Sequence, residues 1–168
     1  NNTFTAGGTA GFASFSVTMA ASAVGFLVGA VITPWARERM RAGTWIAVLL
    51  VGGAAALLVF GLPFHASVFP VAGFALGVVS QGVKVTVDTL VQRYVDDAYR
   101  GRVFSVYDML FNAAFVAAAA VAALTVPPSG VSVPVVTAMA VSYAAMALYW
   151  GAVTRRSAVA QESPATAG

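Results

Sequence analysis

Five apolar runs, each long enough to cross a bilayer as a helix, make up most of this chain. They cover residues 9–33, 44–62, 68–91, 103–126 and 133–154. A hydrocarbon core about 30 Å thick is spanned by about 20 helical residues. Inside lipid every backbone N–H and C=O must be paired within the structure, which leaves helices or a closed barrel. Barrel strands alternate apolar with polar residues, whereas these runs are continuous. The expected fold class is an all-α membrane protein with five transmembrane helices. Residues 155–168 are small and polar, and are expected to form a disordered cytoplasmic tail.

Charge supports the same reading. Hydrophobic residues form 60% of the chain and charged ones 9%, against roughly 25% charged in soluble domains. The net charge of +3 and pI near 9.7 would suit a nucleic-acid binder. However, eight of the nine Lys and Arg residues fall in three clusters: Arg37, Arg39 and Arg41; Arg93, Arg100 and Arg102; Arg155 and Arg156. Loops with and without Lys or Arg alternate without a break, which is a topology signal. The partner implied is a lipid bilayer, with no nucleic acid. Positive loops stay cytoplasmic, so the N-terminus is expected outside and the C-terminus inside, in a cell inner (plasma) membrane.

The chain contains no cysteine and a single histidine, His65. Thiolate and multi-histidine metal sites drop out, and no metal or cofactor is expected. The spans carry no nucleophile–base set, so an enzyme is not expected. The chain does not begin with Met and its first charge is Arg37, so it is expected to start partway through a longer protein.

Polar groups within the spans are concentrated between Gly77 and Asn112. In the third run Gly73, Gly77, Gln81, Lys84, Asp88 and Gln92 share a helical sector of roughly 100°, while Val79, Val83 and Leu90 point away, toward lipid. Lys84 and Asp88 are spaced to pair along one helix face. A lone charge at the centre of a membrane helix costs about 2.5–3.5 kcal/mol, so such a pair is either a structural, snorkelling pair or a functional one. In the fourth run Ser105, Asp108 and Asn112 share a face with Tyr107 opposite. Asp108 is read either as helix N-terminal stabilisation or as a membrane carboxylate with work to do. In the first run Gly7, Gly11, Ser14, Thr18, Ser22, Gly25 and Gly29 form a small-and-hydroxyl stripe. It reads as a close-packing face or as the wall of a polar cavity. The second and fifth runs are plain and are expected to buttress the others against lipid. Gly52-Gly53, midway along the second, suggests close helix packing.

At these residues the chain resembles the C-terminal half of a major facilitator superfamily transporter, helices eight to twelve, of the bacterial drug- and siderophore-exporter-like kind. Gly29 followed by PWARERMRAG resembles a degenerate copy of the family loop motif Gly-x-x-x-Asp-Arg-x-Gly-Arg-Arg, with Glu38 where the Asp is missing. LVQRYVDDAYRGRVFS resembles the loop between helices ten and eleven. The resemblance covers Thr9 to Arg156.

It implies the C-terminal part of a secondary active transporter with alternating access, performing proton-coupled efflux of a small-molecule substrate. The missing N-terminal half would be the partner, and the fragment would be inactive alone. Under it Thr18, Ser22, Gln81, Lys84 and Asn112 are the candidate cavity contacts. Asp88 and Asp108 are the candidate proton-coupling groups. Arg37, Arg39, Arg100, Gly101 and Arg102 are the candidate cytoplasmic gate, with ordinary positive-inside anchoring as the alternative. A non-transporting membrane assembly or interaction subunit is the other function class kept open.

Overall fold

A computed structural model describes residues 9–63, 65, 67–127 and 132–162, with side chains described from 12 to 154. The elements are helices α1 (Thr9–Arg39), α2 (Ala42–Ala56), α3 (Phe69–Tyr94), α4 (Asp97–Thr125) and α5 (Val133–Glu162). One π-helical turn, Leu57–Gly61, continues α2. No strand occurs among the described residues. All five helices are long and apolar enough to cross a membrane, which makes this a multi-pass membrane protein.

The helices run past several of the ends expected from sequence. α1 continues through Pro34 to Arg39, although an interior proline removes one helical hydrogen bond. Ala36, 1% exposed, is locked against Trp45 and Leu49 of α2. Arg37 Nη1 donates to Met40 O at 3.0 Å, and Arg39 Nη1 to Trp35 O at 3.1 Å. These bonds satisfy last-turn carbonyls that a helix end leaves open.

The expected loop from Gln92 to Arg102 shrinks to Val95 and Asp96. Asp96 is the N-cap of α4: its Oδ1 accepts from Ala98 N, and its carbonyl accepts from Tyr99 and Arg100 N. A carboxylate at that position satisfies one of the orphan amides of the first turn. α5 extends to Glu162, beyond the expected end at Thr154 and into the segment expected to be disordered. Its last stretch, SAVAQE, holds the helix formers Ala, Gln and Glu. Residues 163–168 lie outside the described residues.

α3 is the central helix. Along one side it packs on α1 with almost no space between backbones. A Cβ added at Gly77 would overlap the carbonyl oxygen of Ser22, and one at Gly25 would overlap that of Phe74. A Cβ at Gly73 would lie 3.0 Å from Thr18 O. The small stripe of α1 is therefore a packing face, and it meets the glycines of α3, Gly73 and Gly77. Close backbone approach through small residues is the usual route to tight helix association in lipid.

On its other side α3 packs against α2, which corrects the expectation that Val79 and Val83 face lipid. Val79 is 5% exposed and sits in a core with Ala36, Trp45 and Leu49. Val83 packs against both this cluster and a second one of Ile46, Leu50 and Ala147. The sequence pattern showed which α3 face was polar, but could not show that apolar helices would cover the opposite one.

α2 likewise departs from its expected place as a peripheral buttress. It holds Trp45, Ile46, Leu49, Leu50, Gly53, Ala54 and Ala56 buried between α3 and α5. Gly53 lies under the ring of Tyr143, where a Cβ would meet Cδ1 and Cε1 at 3.0 Å, while Gly52 faces open space. Half of the glycine pair therefore serves close packing. α4 is the opposite case, with no buried residue along its length.

Candidate functional site

The polar residues of the spans separate into two places. One is the α1–α3 seam. Thr18 donates its hydroxyl to Ser14 O at 2.9 Å, and Ser22 faces Gly73 and Gly77. These two candidate cavity residues are thus placed at a backbone-tight helix contact. Gln81 lies at the lower end of the same seam, its Cβ next to Gly29, with Oε1 buried and lacking a hydrogen-bond partner.

The second place is built around Lys84. Its Nζ lies 3.4 Å from Asp88 Oδ2 on its own helix and 3.3 Å from Asp108 Oδ1 on α4. The i,i+4 spacing accounts for the first bond. The second needs the tertiary fold, because 24 residues separate the partners. The rings of Tyr107 and Phe111 flank the same ammonium, with centroids 5.3 and 5.2 Å from Nζ. Both distances fall within the range of cation–π attraction.

Tyr107 was expected on the face opposite Asp108. Adjacent helical positions differ by only about 100°, and the long Lys84 side chain reaches between them. The Tyr107–Phe111 pair, with centroids 6.4 Å apart, was visible in sequence only as an aromatic i,i+4 repeat. Asn112, one turn further along α4, is exposed and donates Nδ2 to Asp108 O at 2.8 Å. Asn112 thus belongs with the aspartate's helix turn and does not touch Lys84.

Lys84, Tyr107 and Phe111 border a groove of about 490 Å³ between α2, α3, α4 and α5. Leu50, Val79, Ser80, Val83, Val87, Ser142, Tyr143 and Met146 line the rest of it. Tyr143 and Ser142 were not among the residues singled out from sequence, since a Tyr in a plain apolar helix carries no signal of its own. Both also line a second groove of about 630 Å³ that continues between α4 and α5 past Val121, Thr125 and Met139.

The five gate candidates stand at two neighbouring helix ends. Arg37 and Arg39 are engaged at the end of α1, where the Arg39 guanidinium also stacks 3.9 Å from the Trp35 ring. Arg100 is tied into the α3–α4 turn by an ion pair with Asp97 and a contact to Val95 O. Gly101 has open space where a Cβ would go. Arg102 is exposed and has no ion-pair partner among the described residues. Of the five, Arg102 has the guanidinium available to another surface.

A run of 116 residues, 66% of this chain, is 37% identical to an uncharacterized MFS-type transporter of Mycobacterium tuberculosis, and equally to one of Mycobacterium bovis. The chain belongs to the major facilitator superfamily. The match spans about a quarter, 25%, of the length of those relatives, and the five apolar helices fit the C-terminal part of such a transporter. No family model matches the chain, and no solved structure does. Membership gives the Lys84 cluster its context. In membrane transporters, ionisable groups at span depth mark solute and ion pathways.

Proposed function

We propose that this chain forms the C-terminal part, helices eight to twelve, of a secondary active transporter that performs proton-coupled efflux of a small molecule by alternating access. The observation that carries this reading is the Lys84–Asp88–Asp108 cluster. It joins two membrane-spanning helices at the edge of a groove, in a chain similar to MFS-type transporters. An anchor or scaffold has no need of three ionisable side chains clustered within its spans, where such groups are costly to insert. A second bundle, which α4 with its unburied length is free to meet, supplies the opposing wall. The basic loops lie on the cytoplasmic side.

In this scheme Asp88 and Asp108 are the proton sites and Lys84 is their shared counter-charge. Protonating Asp108 weakens its hold on Lys84 and loosens α4 from α3, whereas protonating Asp88 releases Lys84 from its own helix toward Asp108, which links proton movement to helix movement. The test is proton-driven efflux from proteoliposomes holding the full-length transporter. Asp88→Asn and Asp108→Asn should each lower it about 100-fold, as expected when a proton-transfer group is lost. Wild-type efflux by both variants would remove this assignment. The chain by itself, reconstituted alone, should move nothing, because one bundle lacks the facing wall.

Arg102 belongs to the cytoplasmic gate and pairs with acidic groups on the opposing bundle. Arg102→Ala should leave membrane insertion intact and reduce transport about tenfold, the effect of losing one charge-assisted contact. Reduced insertion with normal turnover per inserted molecule would point to topological anchoring instead.

A further inference from the structure

Three side chains of α4 face the Lys84 ammonium, and they hold it by two different forces. Asp108 Oδ1 lies 3.3 Å from Nζ. The Tyr107 and Phe111 ring centroids lie 5.3 and 5.2 Å from it, so the ammonium is almost equidistant from two rings one helical turn apart. A ring face attracts a cation through its quadrupole, and that attraction survives when a neighbouring carboxylate is protonated. The ion pair does not survive it. The hold of α4 on Lys84 therefore has a proton-dependent part and a permanent part.

The permanent part matters because of where Lys84 can otherwise go. Asp88 Oδ2, 3.4 Å from Nζ, belongs to the lysine's own helix. An ammonium held by Asp88 alone would no longer tie α3 to α4. α4 has no buried residue along its length, so packing gives it little else to rest on. The titratable groups around Nζ are Asp88 on α3, with Asp108 and Tyr107 on α4. Tyr143 of α5 lines the same groove as Lys84.

We propose that Tyr107 and Phe111 are positioning residues, an aromatic seat that keeps the Lys84 ammonium on α4 while Asp108 is protonated. The two helices then loosen without parting, and Lys84 stands ready to pair again when Asp108 loses its proton. That this cycle drives efflux rests on the proposed function; that the rings hold Lys84 does not.

The full-length transporter is tested with trifluorophenylalanine in place of Phe111, which keeps the shape of the ring and drains the negative charge from its face. Proton-driven efflux should fall about threefold, as it should in Phe111→Leu, while Phe111→Tyr should match the wild type. Tyr107→Leu combined with Phe111→Leu should lose about tenfold. A ring that merely fills space would leave the fluorinated protein at the wild-type rate. A distance measurement gives a readout independent of transport. Spin labels at Thr89→Cys in α3 and Ser105→Cys in α4, both exposed positions, should report a single α3–α4 distance in a monodisperse Asp108→Asn protein. Adding the two leucines should raise the separated population about tenfold. Distances indifferent to the leucines overturn the seat, as does wild-type efflux by the fluorinated protein. The expected distances in a protein without proton-driven efflux support the seat and remove the transport reading. Proton-driven efflux that Asp108→Asn abolishes, with distances indifferent to the rings, overturns the seat alone.

Discussion

Replacing Gly77 with Val should force α1 and α3 apart and destabilise the protein by about 3 kcal/mol, the upper end of what overpacking costs. Even a single added carbon at Gly77 would overlap the Ser22 carbonyl oxygen and come within 2.9 Å of Phe26 N. Both are backbone atoms in a helix, so no side-chain rotation can make room. Gly25→Ala should act in the same direction, because its added carbon would meet the backbone of Phe74. Gly52→Ala is the control. Nothing lies within 4 Å of its added carbon, so it should stabilise α2 by about 0.5–1 kcal/mol through helix propensity alone. Thermal unfolding in detergent, followed by loss of the monodisperse species, measures all three. Matching midpoints for Gly77→Val and Gly52→Ala would mean that α1 and α3 do not meet through these glycines.

Removing the Lys84 ammonium should produce the second large effect. Lys84→Met leaves Asp88 and Asp108 without their shared cation. Breaking one side of a buried ion pair costs about 3–5 kcal/mol. Here about a quarter of the Lys84 and Asp88 side chains and more than half of Asp108 are exposed, so about 2 kcal/mol is expected after allowing for solvent screening. Adding Asp88→Asn and Asp108→Asn to Lys84→Met should recover most of that stability, because no uncompensated charge remains. The same triple variant should lose transport. A Lys84→Met protein that melts with the wild type would show that the cluster does not join α4 to α3. The test is sharp because Lys84–Asp108 is the interhelical ion pair that reaches α4 among the described residues.

Much of this was legible in the residue order. The five spans follow from continuous apolar runs, since a bilayer accepts only backbone that pairs with itself. The Lys84–Asp88 pair follows from helical spacing. The small stripe of α1 announced close packing without naming its partner, because many helix faces accept a row of small residues. Tyr143 gave no signal of its own, since only the packing of the helices makes it line both grooves. Helix ends were the least legible. Pro34 and the charged run around Arg100 looked like breaks, yet Ala36 burial and the Asp96 cap carry the helices through them.

Hydropathy and charge placement along the chain determined by themselves that it is helical, multi-pass and polar at Gln81, Lys84, Asp88, Asp108 and Asn112. They act within one helix, at a range of one or two turns. Tertiary structure alone decided that Thr18 and Ser22 belong to a seam, that Val79 is core, and that Asp108, Tyr107 and Phe111 converge on a lysine 24 residues away from that aspartate. Those choices depend on which helix lies beside which. Periodicity fixes only the direction in which a side chain leaves its own axis.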